Sequence, residues 1–507
     1  MVEARPGKPM PRRVTACILA AAATVAAAIV SIQLFVPPIV GLADNGDYER
    51  VMGYAGFQHT TAVYGDRYFS FLRTRYAVVS PGWFRGGYHS SETLFAFLAR
   101  YLHLAFSKQS LFDIRLLGAI HATLLIVALA GLIWAGRGLS VPAQSLVAAL
   151  LVFVFTDVGY VSPFNSFYSQ TASLLFLLLA VAIAAGAVRR GRLSGGWLLA
   201  YFGCALLFVG SKPQERLAAP LLALFGMRLA GVRIADAWRR SAVWLGVGLC
   251  AFSVWYGRHT PYTLREATIF QVVFDDVLAH SAAPTTDAAE LRLDPDWVKY
   301  TGSNPYSPDS PLLDPEFRVR FLHQVGYRRI LRFYLRHPTR LVERVERASL
   351  QAWSLRPAFG NFERSPEHPE PRLATRFSLW SRMRGRLGAH PLFWIMLLFG
   401  GNLAAALTTY RRSTPRGRLF REGVILVVLM SGLAFAVCAL AGAPPDLSRA
   451  LYVYHALCDL LLIADAGWIA EAVARRSARQ AAQARASAGF FDSLESDGRP
   501  GAIRPRG

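Results

Sequence analysis

The sequence predicts an all-α polytopic membrane protein with about ten transmembrane helices and two long helical loops on one face of the membrane. Hydrophobic residues make up 53% of the 507 residues and charged residues only 17%, whereas soluble proteins carry about a quarter charged residues. The apolar residues also occur in long uninterrupted runs, of which residues 14–36 are the first, and about 20 such residues cross a bilayer. Because this first run is long and lacks a small-residue cleavage site, we interpret it as a retained span rather than a removed signal peptide.

Ten apolar runs are predicted to be spans, and each boundary is placed where the run ends. They lie near residues 14–36, 114–136, 141–158, 169–188, 197–211, 216–232, 241–257, 391–410, 423–442 and 450–472. The run at 216–232 is short and follows its predecessor closely. Residues 1–13 then form an N-terminal tail, residues 14–472 the transmembrane domain, and residues 473–507 a basic C-terminal tail that is partly disordered.

Positive charge is distributed unequally between the two sides of the predicted bundle. The two tails and the short loops on one side hold 24 lysines and arginines, whereas the short loops on the other side hold three. Because cytoplasmic loops are enriched in lysine and arginine, the richer side is predicted to be cytoplasmic. Both termini are therefore expected in the cytoplasm. The first long loop (residues 37–113) and the second long loop (residues 258–390) are expected on the outer face.

Both long loops are predicted to be helical in part. In the first long loop, the segment Ser90-Ser91-Glu92 can cap an amphipathic helix that lies along the membrane surface. In the second long loop, stretches near 262–281 and 315–355 have helical character, and the latter is broken at His337-Pro338. Neither loop is expected to contain a soluble domain large enough to fold alone, and the chain shows no internal repeat.

The composition excludes two classes of function. A net charge of +22 is typical of nucleic-acid-binding proteins, but here the arginines form short clusters between apolar runs and no base-stacking module is present. We therefore expect contact with membrane lipids and none with nucleic acid. The five cysteines all lie within predicted spans, so neither a zinc site nor a disulfide framework is indicated.

Polar residues gather in four short strings, all on the predicted outer side. The strings are residues 44–50, 162–170, 210–216 and 444–449. Each could be a simple polar turn between two helices. Four strings on one face, with cations opposite carboxylates, instead indicate that they meet in a common site.

The first string, Asp44-Asn45-Gly46-Asp47-Tyr48-Glu49-Arg50, follows directly on the first span. Its aspartates lie at the membrane surface, where a carboxylate can accept a proton from a substrate or hold a metal ion. The alternative is that Asp44, Asn45 and Gly46 form a turn and that Asp47 caps a helix. The residues alone do not decide between these two interpretations.

Three cations lie in short loops of the predicted outer side, where positive charge is disfavoured. Lys212 is at a membrane boundary, and Arg216 and Arg449 occupy comparable positions. A phosphate group held at the membrane surface would require such side chains. Alternatively, they extend from helix ends towards the lipid headgroups.

Four further residues are candidates for substrate contact. Asn165 and Tyr168 could hydrogen-bond sugar hydroxyls, or belong to the aromatic belt at the membrane interface. Glu215 could contact a substrate or merely neutralise the neighbouring cations. His455 and Asp459 are four residues apart in the last predicted span and share a helix face. They form either a functional pair or a hydrogen bond that holds two helices together.

The order of these features is informative as a set. One span is followed by a long loop that opens with acidic residues, and then by many hydrophobic spans. This order resembles the GT-C superfamily of membrane glycosyltransferases. Within that superfamily, the segments Asp44–Met52, Asn165–Ser169 and Ser211–Glu215 resemble bacterial glycan-biosynthesis hexose transferases. The segments Tyr334–Pro338 and Arg356–Asn361 are similar to the same group.

The resemblance implies an enzyme of the bacterial inner membrane with its active site on the outer face. Such an enzyme transfers a sugar from a polyprenyl-phosphate-linked donor to a glycan, lipid or protein acceptor. An acidic residue of the first long loop is catalytic in these proteins, which here implies Asp47 or Asp44 as the general base on the acceptor hydroxyl. Because that loop has no adjacent acidic pair and no Asp-x-Asp motif, no metal or other cofactor is predicted.

The remaining candidate residues fall into two groups. Those expected to hold the donor phosphate are Lys212, Arg449, Arg216 and Arg50, and those expected to contact substrates are Asn165, Tyr168, Glu215 and His455. An apolar groove between the spans would take the polyprenyl tail. The alternative functions are a transporter or flippase of lipid-linked glycans, which the His455 and Asp459 pair favours, and a scaffold without catalytic activity.

Overall fold

The computed structural model describes residues 12–82, 89–107, 109–190, 194–231, 236–307, 309–441 and 447–497. The helices, in chain order, are α1 (Arg12–Phe35), α2 (Glu49–Ala55), α3 (Tyr64–Arg67), α4 (Glu92–Phe106), α5 (Arg115–Ala135), α6 (Val141–Phe155), α7 (Val158–Val161), α8 (Gln170–Arg190), α9 (Gly195–Val209), α10 (Ala219–Ala230), α11 (Asp236–Arg258), α12 (Tyr262–Phe270), α13 (Pro284–Glu290), α14 (Pro315–Gln324), α15 (Tyr327–Arg336), α16 (Pro338–Gln351), α17 (Leu379–Gly385), α18 (Pro391–Tyr410), α19 (Pro415–Ala441), α20 (Leu447–Ala450) and α21 (Tyr452–Asp497). Short 3₁₀ turns lie at Ser162–Asn165, Glu215–Ala218, Pro295–Tyr300, Pro311–Leu313 and Arg386–Ala389, and a π-helical stretch at Gln271–Val277.

A helix occupies each of the ten positions predicted for spans. These are α1, α5, α6, α8, α9, α10, α11, α18, α19 and α21. Among the described residues, five helices are long and apolar enough to cross a membrane, or six if the bent segment Val141–Asn165 counts as one. Helices α9 and α10 have only 15 and 12 residues, fewer than the roughly 20 that a bilayer needs. The protein is therefore a multi-pass membrane protein, whereas the count of ten spans is not confirmed and the orientation stays a prediction.

The long helices pack into one bundle with a continuous core. Helix α5 packs against both α1 and α8, α8 also packs against α9, and α6 packs against α21. Helices α10 and α11 form a further pair, as do α18 and α19. The interior contains fully buried apolar side chains such as Leu125, Leu174 and Phe208. Because lipid tails are as apolar as these side chains, close packing rather than transfer out of water stabilises such a bundle.

A small antiparallel sheet in the first long loop corrects the all-α prediction. It has three strands in the order β1 (Phe57–His59), β2 (Arg75–Val78) and β3 (Leu111–Asp113). The rings of Phe57 and Phe112 pack 4.2 Å apart beneath it. Strands of only three or four residues are too short to show an alternating pattern in the sequence. Since β3 leads directly into α5, the sheet fixes where that helix begins.

Helix α4 has the two-sided character predicted for the first long loop. Phe95 and Ala99 are buried against the protein, whereas Leu94, Leu98 and Leu104 are exposed on the opposite face. An amphipathic helix with an exposed apolar face suits the boundary between lipid headgroups and acyl chains. The position of α4 is therefore consistent with a helix that lies along the membrane surface.

The second long loop folds around an apolar core of its own, which the sequence did not predict. Phe270, Phe274, Phe317 and Phe321 pack against one another in this core. The helical stretch predicted at 315–355 is divided into α14, α15 and α16. The break at His337-Pro338 is confirmed. A second break precedes α15 because Gly326 adopts an extended conformation, and a single glycine is a weak signal for the end of a helix.

A buried ion pair joins the second long loop to the bundle. Nη1 of Arg384 in α17 lies 2.7 Å from Oδ1 of Asp459 in α21, and both side chains are fully buried. Tyr160 and Trp380 donate hydrogen bonds of 2.6 and 2.9 Å to Oδ2 of the same carboxylate. This geometry corrects the expected pairing of His455 with Asp459. The backbone carbonyl of His455, not its ring, takes part by accepting a bond from Arg384.

We predict that replacing Arg384 by methionine strongly destabilises the protein. The substitution keeps the volume of the side chain but leaves the Asp459 carboxylate buried without its cation. Breaking such a pair costs about 3–5 kcal/mol. Thermal unfolding of the detergent-purified protein measures the loss. The matched control is Arg386→Met, because Arg386 is exposed and makes no ion pair within the described part of the chain. We expect the control to change stability by less than about 0.5 kcal/mol, and equal effects of the two substitutions would show that the ion pair is not structural.

Candidate functional site

The carboxylate of Asp47 lies between two arginines at one end of the bundle. Its Oδ2 atom is 2.6 Å from Nη1 of Arg449, which belongs to the short helix α20. Its Oδ1 atom is 2.6 Å from Nη1 of Arg50, one turn further along the chain. The Asp47 side chain is partly exposed, so the pair is reachable by a ligand. The first and fourth polar strings therefore meet at this carboxylate.

Asn45 connects the second string to the same point. Its Oδ1 atom accepts a hydrogen bond of 3.1 Å from Nη1 of Arg449 and lies 3.1 Å from the hydroxyl of Tyr168. Its backbone N–H donates to that hydroxyl at 3.0 Å. The guanidinium of Arg449 also lies 4.8 Å above the Tyr168 ring, which is within the range of a cation–π contact. Arg449 is thus held in place by a carboxylate, an amide and an aromatic ring.

The third string joins the site through Gln214 and Ser211. Nε2 of Gln214 donates a hydrogen bond of 3.1 Å to the carbonyl of Ala450, the residue after Arg449. The hydroxyls of Ser211 and Ser173 lie 2.7 Å apart, which connects the turn after α9 to the start of α8. Residues of the first, second and fourth strings therefore contact one another, and the third string reaches Ala450 beside them. Residues 444–446 of the fourth string lie outside the described part of the chain.

Positive charge determines the ionisation of Asp47. Burial on its own would raise the pKa of this carboxyl, but the guanidiniums of Arg50 and Arg449, together with Lys212, hold the pKa well below its usual range. Asp47 therefore remains an anion at neutral pH. With three cations around one carboxylate, the site has an excess of positive charge, which favours a further anion.

Lys212 is the cation of this group that is best placed for a ligand. It lies in the turn between α9 and the 3₁₀ turn Glu215–Ala218. Its ammonium group makes no hydrogen bond or ion pair with any other described residue. Burial and the like charge of Arg449 lower the pKa of Lys212, and the carboxylates of Glu215 and Asp47 oppose this shift. A negatively charged ligand would likewise raise the pKa of Lys212 and so stabilise its ammonium form.

Glu215 does not fully neutralise Lys212. Its carboxyl is buried and accepts a hydrogen bond of 3.2 Å from Gln214. Burial raises the pKa of Glu215 to about 7, against the opposing effect of Lys212. Near neutral pH the carboxyl is therefore protonated in a large fraction of molecules. The interpretation of Glu215 as a simple counter-ion is not supported.

A small apolar cavity of about 20 Å³, with room for about one water molecule, lies at Gln214 and Glu215 between α9, α19 and α21. The polar end is formed by those two side chains. The remaining lining residues are Phe208, Ala218, Met430, Leu433, Ala434, Val437, Val453 and Leu457. The cavity therefore lies beside the charged site at Gln214 and Glu215, whereas Asp47, Arg449 and Lys212 do not line it.

Asp44, the other catalytic candidate, is turned away from these cations. Its Oδ1 atom accepts hydrogen bonds from the backbone N–H groups of Gly46 and Tyr48, at 2.7 and 3.1 Å. Its Oδ2 atom lies 2.9 Å from Nε2 of His59, and both side chains are buried. Both carboxylate oxygens are therefore occupied by contacts within the first long loop. The geometry supports the turn interpretation for Asp44 and the functional interpretation for Asp47.

Asn165 and Tyr168 are buried, and the amide nitrogen of Asn165 and the hydroxyl of Tyr168 are hydrogen-bonded within the protein. Nδ2 of Asn165 donates to the carbonyls of Leu34 and Val40, at 3.1 and 2.8 Å, where the chain leaves α1. A side chain on Gly118 would collide with Oδ1 of Asn165, so only glycine allows this close approach. The expected contacts of Asn165 and Tyr168 with sugar are therefore corrected. Asn165 fixes the end of α1, and Tyr168 supports Asn45 and Arg449.

Arg216 and His455 lie apart from the group around Asp47. The guanidinium of Arg216 packs directly against Gly257 of α11, and its backbone carbonyl accepts a hydrogen bond from Ser253. His455 is fully buried within α21 next to Arg384. These contacts do not join either side chain to Asp47, so the predicted roles of Arg216 at the phosphate and of His455 at a substrate stay predictions.

Sequence reasoning did not single out Asn45, Gln214 or Ser211, although all three lie within the polar strings. Their positions in those strings were the available signal. Among the described residues, no three His, Cys, Asp or Glu side chains are grouped so that they could hold a metal ion.

Comparison with known proteins identifies one family. A family model described as the YfdI N-terminal transmembrane domain matches residues 8–487 of this chain. No curated protein matches the chain, and no solved structure matches it.

We predict a pH-dependent effect of replacing Glu215 by glutamine. The folded state retains the proton of Glu215 up to about pH 7, whereas the unfolded chain releases it near pH 4.5. The wild-type protein should therefore lose stability as the pH rises through this interval, by about 3 kcal/mol at most. The Glu215→Gln variant has no carboxyl to titrate at this position and does not lose this stability. The free energy of unfolding of the variant minus that of the wild type should therefore increase up to about pH 7 and be constant above about pH 8. Thermal unfolding from pH 4.5 to 8.5 measures the difference. Glu343→Gln, at an exposed glutamate, is the control, and the same pH profile for both variants would contradict the assignment.

Proposed function

The chain belongs to the family of the YfdI N-terminal transmembrane domain, and from that premise we propose that it is a membrane glycosyltransferase. It would transfer a sugar from a polyprenyl-phosphate-linked donor to an envelope glycan, lipid or protein. The observation that carries the proposal is the position of Asp47. This partly exposed carboxylate of the first long loop lies among Arg50, Arg449 and Lys212.

In this proposal the cations hold the phosphate of the donor. Arg449 offers a planar guanidinium whose orientation is fixed by Asn45 and Tyr168, and a fixed guanidinium suits bidentate phosphate binding. Lys212 supplies a second positive charge without a partner in the described structure. Arg50 supplies a third. Arg216, which packs against Gly257, is not part of this group.

Asp47 acts as the general base in the proposed reaction. The acceptor hydroxyl transfers its proton to the Asp47 carboxylate while the acceptor oxygen forms a bond to the anomeric carbon of the sugar. The bond between that carbon and the phosphate oxygen breaks, and the electron pair leaves with the polyprenyl phosphate. Arg449 and Lys212 stabilise the charge that develops on the leaving phosphate. Because attack and departure occur on opposite sides of the carbon, the configuration is inverted.

The arginine pairs of Asp47 imply an order of events. While Arg50 and Arg449 both contact the carboxylate, its pKa is well below the usual range, and the carboxylate is a weak base. A donor phosphate would compete for the same guanidiniums and reduce their hold on Asp47. The base would therefore become effective only when the donor is bound.

The polyprenyl chain would lie among the apolar side chains of α9, α19 and α21, which begin at Gln214 and Glu215. The cavity there has room for only about one water molecule. A lipid whose phosphate lies at Lys212 would therefore place its tail between these helices only if they move apart.

Transport of lipid-linked glycans is the main alternative to catalysis. The ionisable pair in the last span favours it, because such residues often mark transport pathways. In the structure Asp459 is fully buried and bonded to Arg384, Tyr160 and Trp380, which explains its presence without transport. We therefore propose catalysis and no second function.

We predict that replacing Asp47 by asparagine reduces sugar transfer at least 100-fold, as expected when a general base is lost. The measurement is mass spectrometry of envelope glycans from a deletion strain that carries each variant. Asp44→Asn should instead lower the amount of folded protein in the membrane, because it weakens the turn that Asp44 organises.

Asp66→Asn is the matched control for Asp47→Asn. Asp66 lies in the same loop, has a similar exposure of 26% against 27%, and also pairs with arginines, namely Arg73 and Arg364. We expect it to transfer sugar at the wild-type rate. A fully active Asp47→Asn variant, or equal losses in the Asp47 and Asp66 variants, would rule out the proposed base.

We predict that replacing Lys212 by methionine weakens binding of polyprenyl phosphate, the common product of all such donors. The loss of one charge-assisted contact, about 1.5–3 kcal/mol, corresponds to roughly 10–100-fold in affinity. Lys212→Arg should recover part of this loss. Binding of a short-chain polyprenyl phosphate to the purified protein provides the measurement. Lys299→Met, in the second long loop beside Tyr300, serves as the control, and wild-type affinity in Lys212→Met would place the phosphate elsewhere.

A further inference from the structure

A second group of cations lies at the opposite end of the bundle from Asp47. It is formed by Arg137, Arg189 and Arg190 together with the rings of Trp134 and Trp197. We refer to these five residues as the arginine–tryptophan cluster. Trp134 lies in the last turn of α5 and Arg137 in the turn that follows it, Arg189 and Arg190 end α8, and Trp197 lies at the start of α9.

The lengths of two helices place this cluster across the membrane from the candidate site. Helix α8 begins two residues after Tyr168, which contacts Arg449, and ends at Arg190. Helix α5 begins after β3 and ends next to Trp134. Each has 21 residues and is therefore about 31 Å long, close to the thickness of the hydrocarbon core. The cluster and the candidate site thus lie near opposite surfaces of the bilayer.

The two indole rings form a platform for the guanidiniums. Trp134 and Trp197 are stacked, with their centroids 6.1 Å apart and their planes 20° apart. The guanidinium carbon of Arg190 lies 4.5 Å from each ring. That of Arg137 lies 3.7 Å from the Trp134 ring. Stacking on a ring fixes the plane of a guanidinium while its N–H groups at the edge remain able to donate.

Two glycines make room for this arrangement. Gly138 has a φ of +114°, and the guanidinium of Arg189 packs directly against its backbone. A side chain at Gly138 would occupy the position of that guanidinium. At Gly186, a Cβ atom would lie 3.1 Å from Trp197 and 3.3 Å from Trp134, so glycine allows both indoles to approach α8. The local sequence therefore permits a close approach of the charged and aromatic groups that larger residues would prevent.

The described residues supply no carboxylate to Arg189 or Arg190. Within the described ranges, neither guanidinium has an acidic group within ion-pair distance, and both side chains are exposed. The nearby carboxylate of Glu471 accepts bonds of 2.6 Å from the backbone N–H of Ser140 and 2.8 Å from Arg475. Like charges held close together are stabilised when an anion binds among them.

We propose that the arginine–tryptophan cluster binds the phosphate group of an anionic phospholipid in the leaflet opposite the candidate site. The phosphate would accept hydrogen bonds from the edges of the guanidiniums. The indoles would lie at the level of the headgroups, which tryptophan favours. Basic pockets between transmembrane helices are suited to the headgroups of such lipids. This proposal does not depend on the glycosyltransferase reaction.

Arg411 and Arg412 show what a generic basic turn looks like in the same protein. They lie between α18 and α19, on the same predicted side of the membrane, and both are exposed. Neither side chain stacks on a ring or makes an ion pair with another described residue. Arginines of this kind can direct membrane orientation. They provide a control with the same number of charges but no aromatic platform.

The test measures lipid binding by native mass spectrometry of the detergent-purified protein, with cardiolipin as the probe and phosphatidylcholine as the uncharged reference. We expect Arg189→Gln/Arg190→Gln to bind cardiolipin at least tenfold more weakly than wild type. Arg411→Gln/Arg412→Gln should bind within twofold of wild type. Arg190→Lys keeps the charge and loses the planar stack, so we expect intermediate binding, and this variant tests the proposal if the double variant does not fold.

Three results would overturn the proposal. Equal losses in the two double variants would show that any basic turn attracts the lipid. Wild-type binding in both Arg189→Gln/Arg190→Gln and Arg190→Lys would place the lipid elsewhere. Release of cardiolipin by millimolar inorganic phosphate would show that the cluster takes a small soluble anion instead of a lipid headgroup.

Discussion

The ion pair between Asp47 and Arg449 is the contact on which the candidate site depends. Oδ2 of Asp47 and Nη1 of Arg449 are 2.6 Å apart, and the pair joins the start of the first long loop to the segment before the last helix. Arg449 also contacts Asn45 and Tyr168. The pair is partly exposed, so its attraction is stronger than that of a surface pair, which contributes little. It still avoids the large desolvation cost of a fully buried pair. Such a contact can position a carboxylate and yet release it when another anion arrives.

Charges in this protein serve two physically different purposes. Around Asp459, three donors from Arg384, Tyr160 and Trp380 satisfy one fully buried carboxylate. The charges there are balanced, and the result is a rigid attachment of the second long loop. Around Asp47 the cations outnumber the carboxylate, and Lys212 has no partner among the described residues. A balanced buried group stabilises the fold, whereas an excess of charge at an accessible place is suited to a ligand.

Much of the fold could be predicted because its signals are local. The ten helices of the bundle and the amphipathic helix α4 follow from runs and periods of apolar residues. The roles of polar residues were harder to predict, as Asn165 shows. Its amide satisfies carbonyls where α1 ends, and helix ends always leave such groups without partners inside the helix. A sequence does not indicate whether an amide near a helix end will meet a backbone carbonyl or a sugar hydroxyl. Asp44 was ambiguous for the same reason, since both turns and active sites use aspartate.

The sequence by itself determined that this chain crosses a membrane several times and that its polar strings lie between the hydrophobic helices. Hydropathy and charge are properties of each segment and do not depend on the rest of the chain. Only the tertiary structure decided that Asp47, and not Asp44, faces Arg449, and that Arg216 turns towards Gly257. These outcomes depend on the direction in which each turn presents its side chains and on partners that are distant in the sequence. The packing of the helices fixes both of these, and no local pattern of residues contains that information.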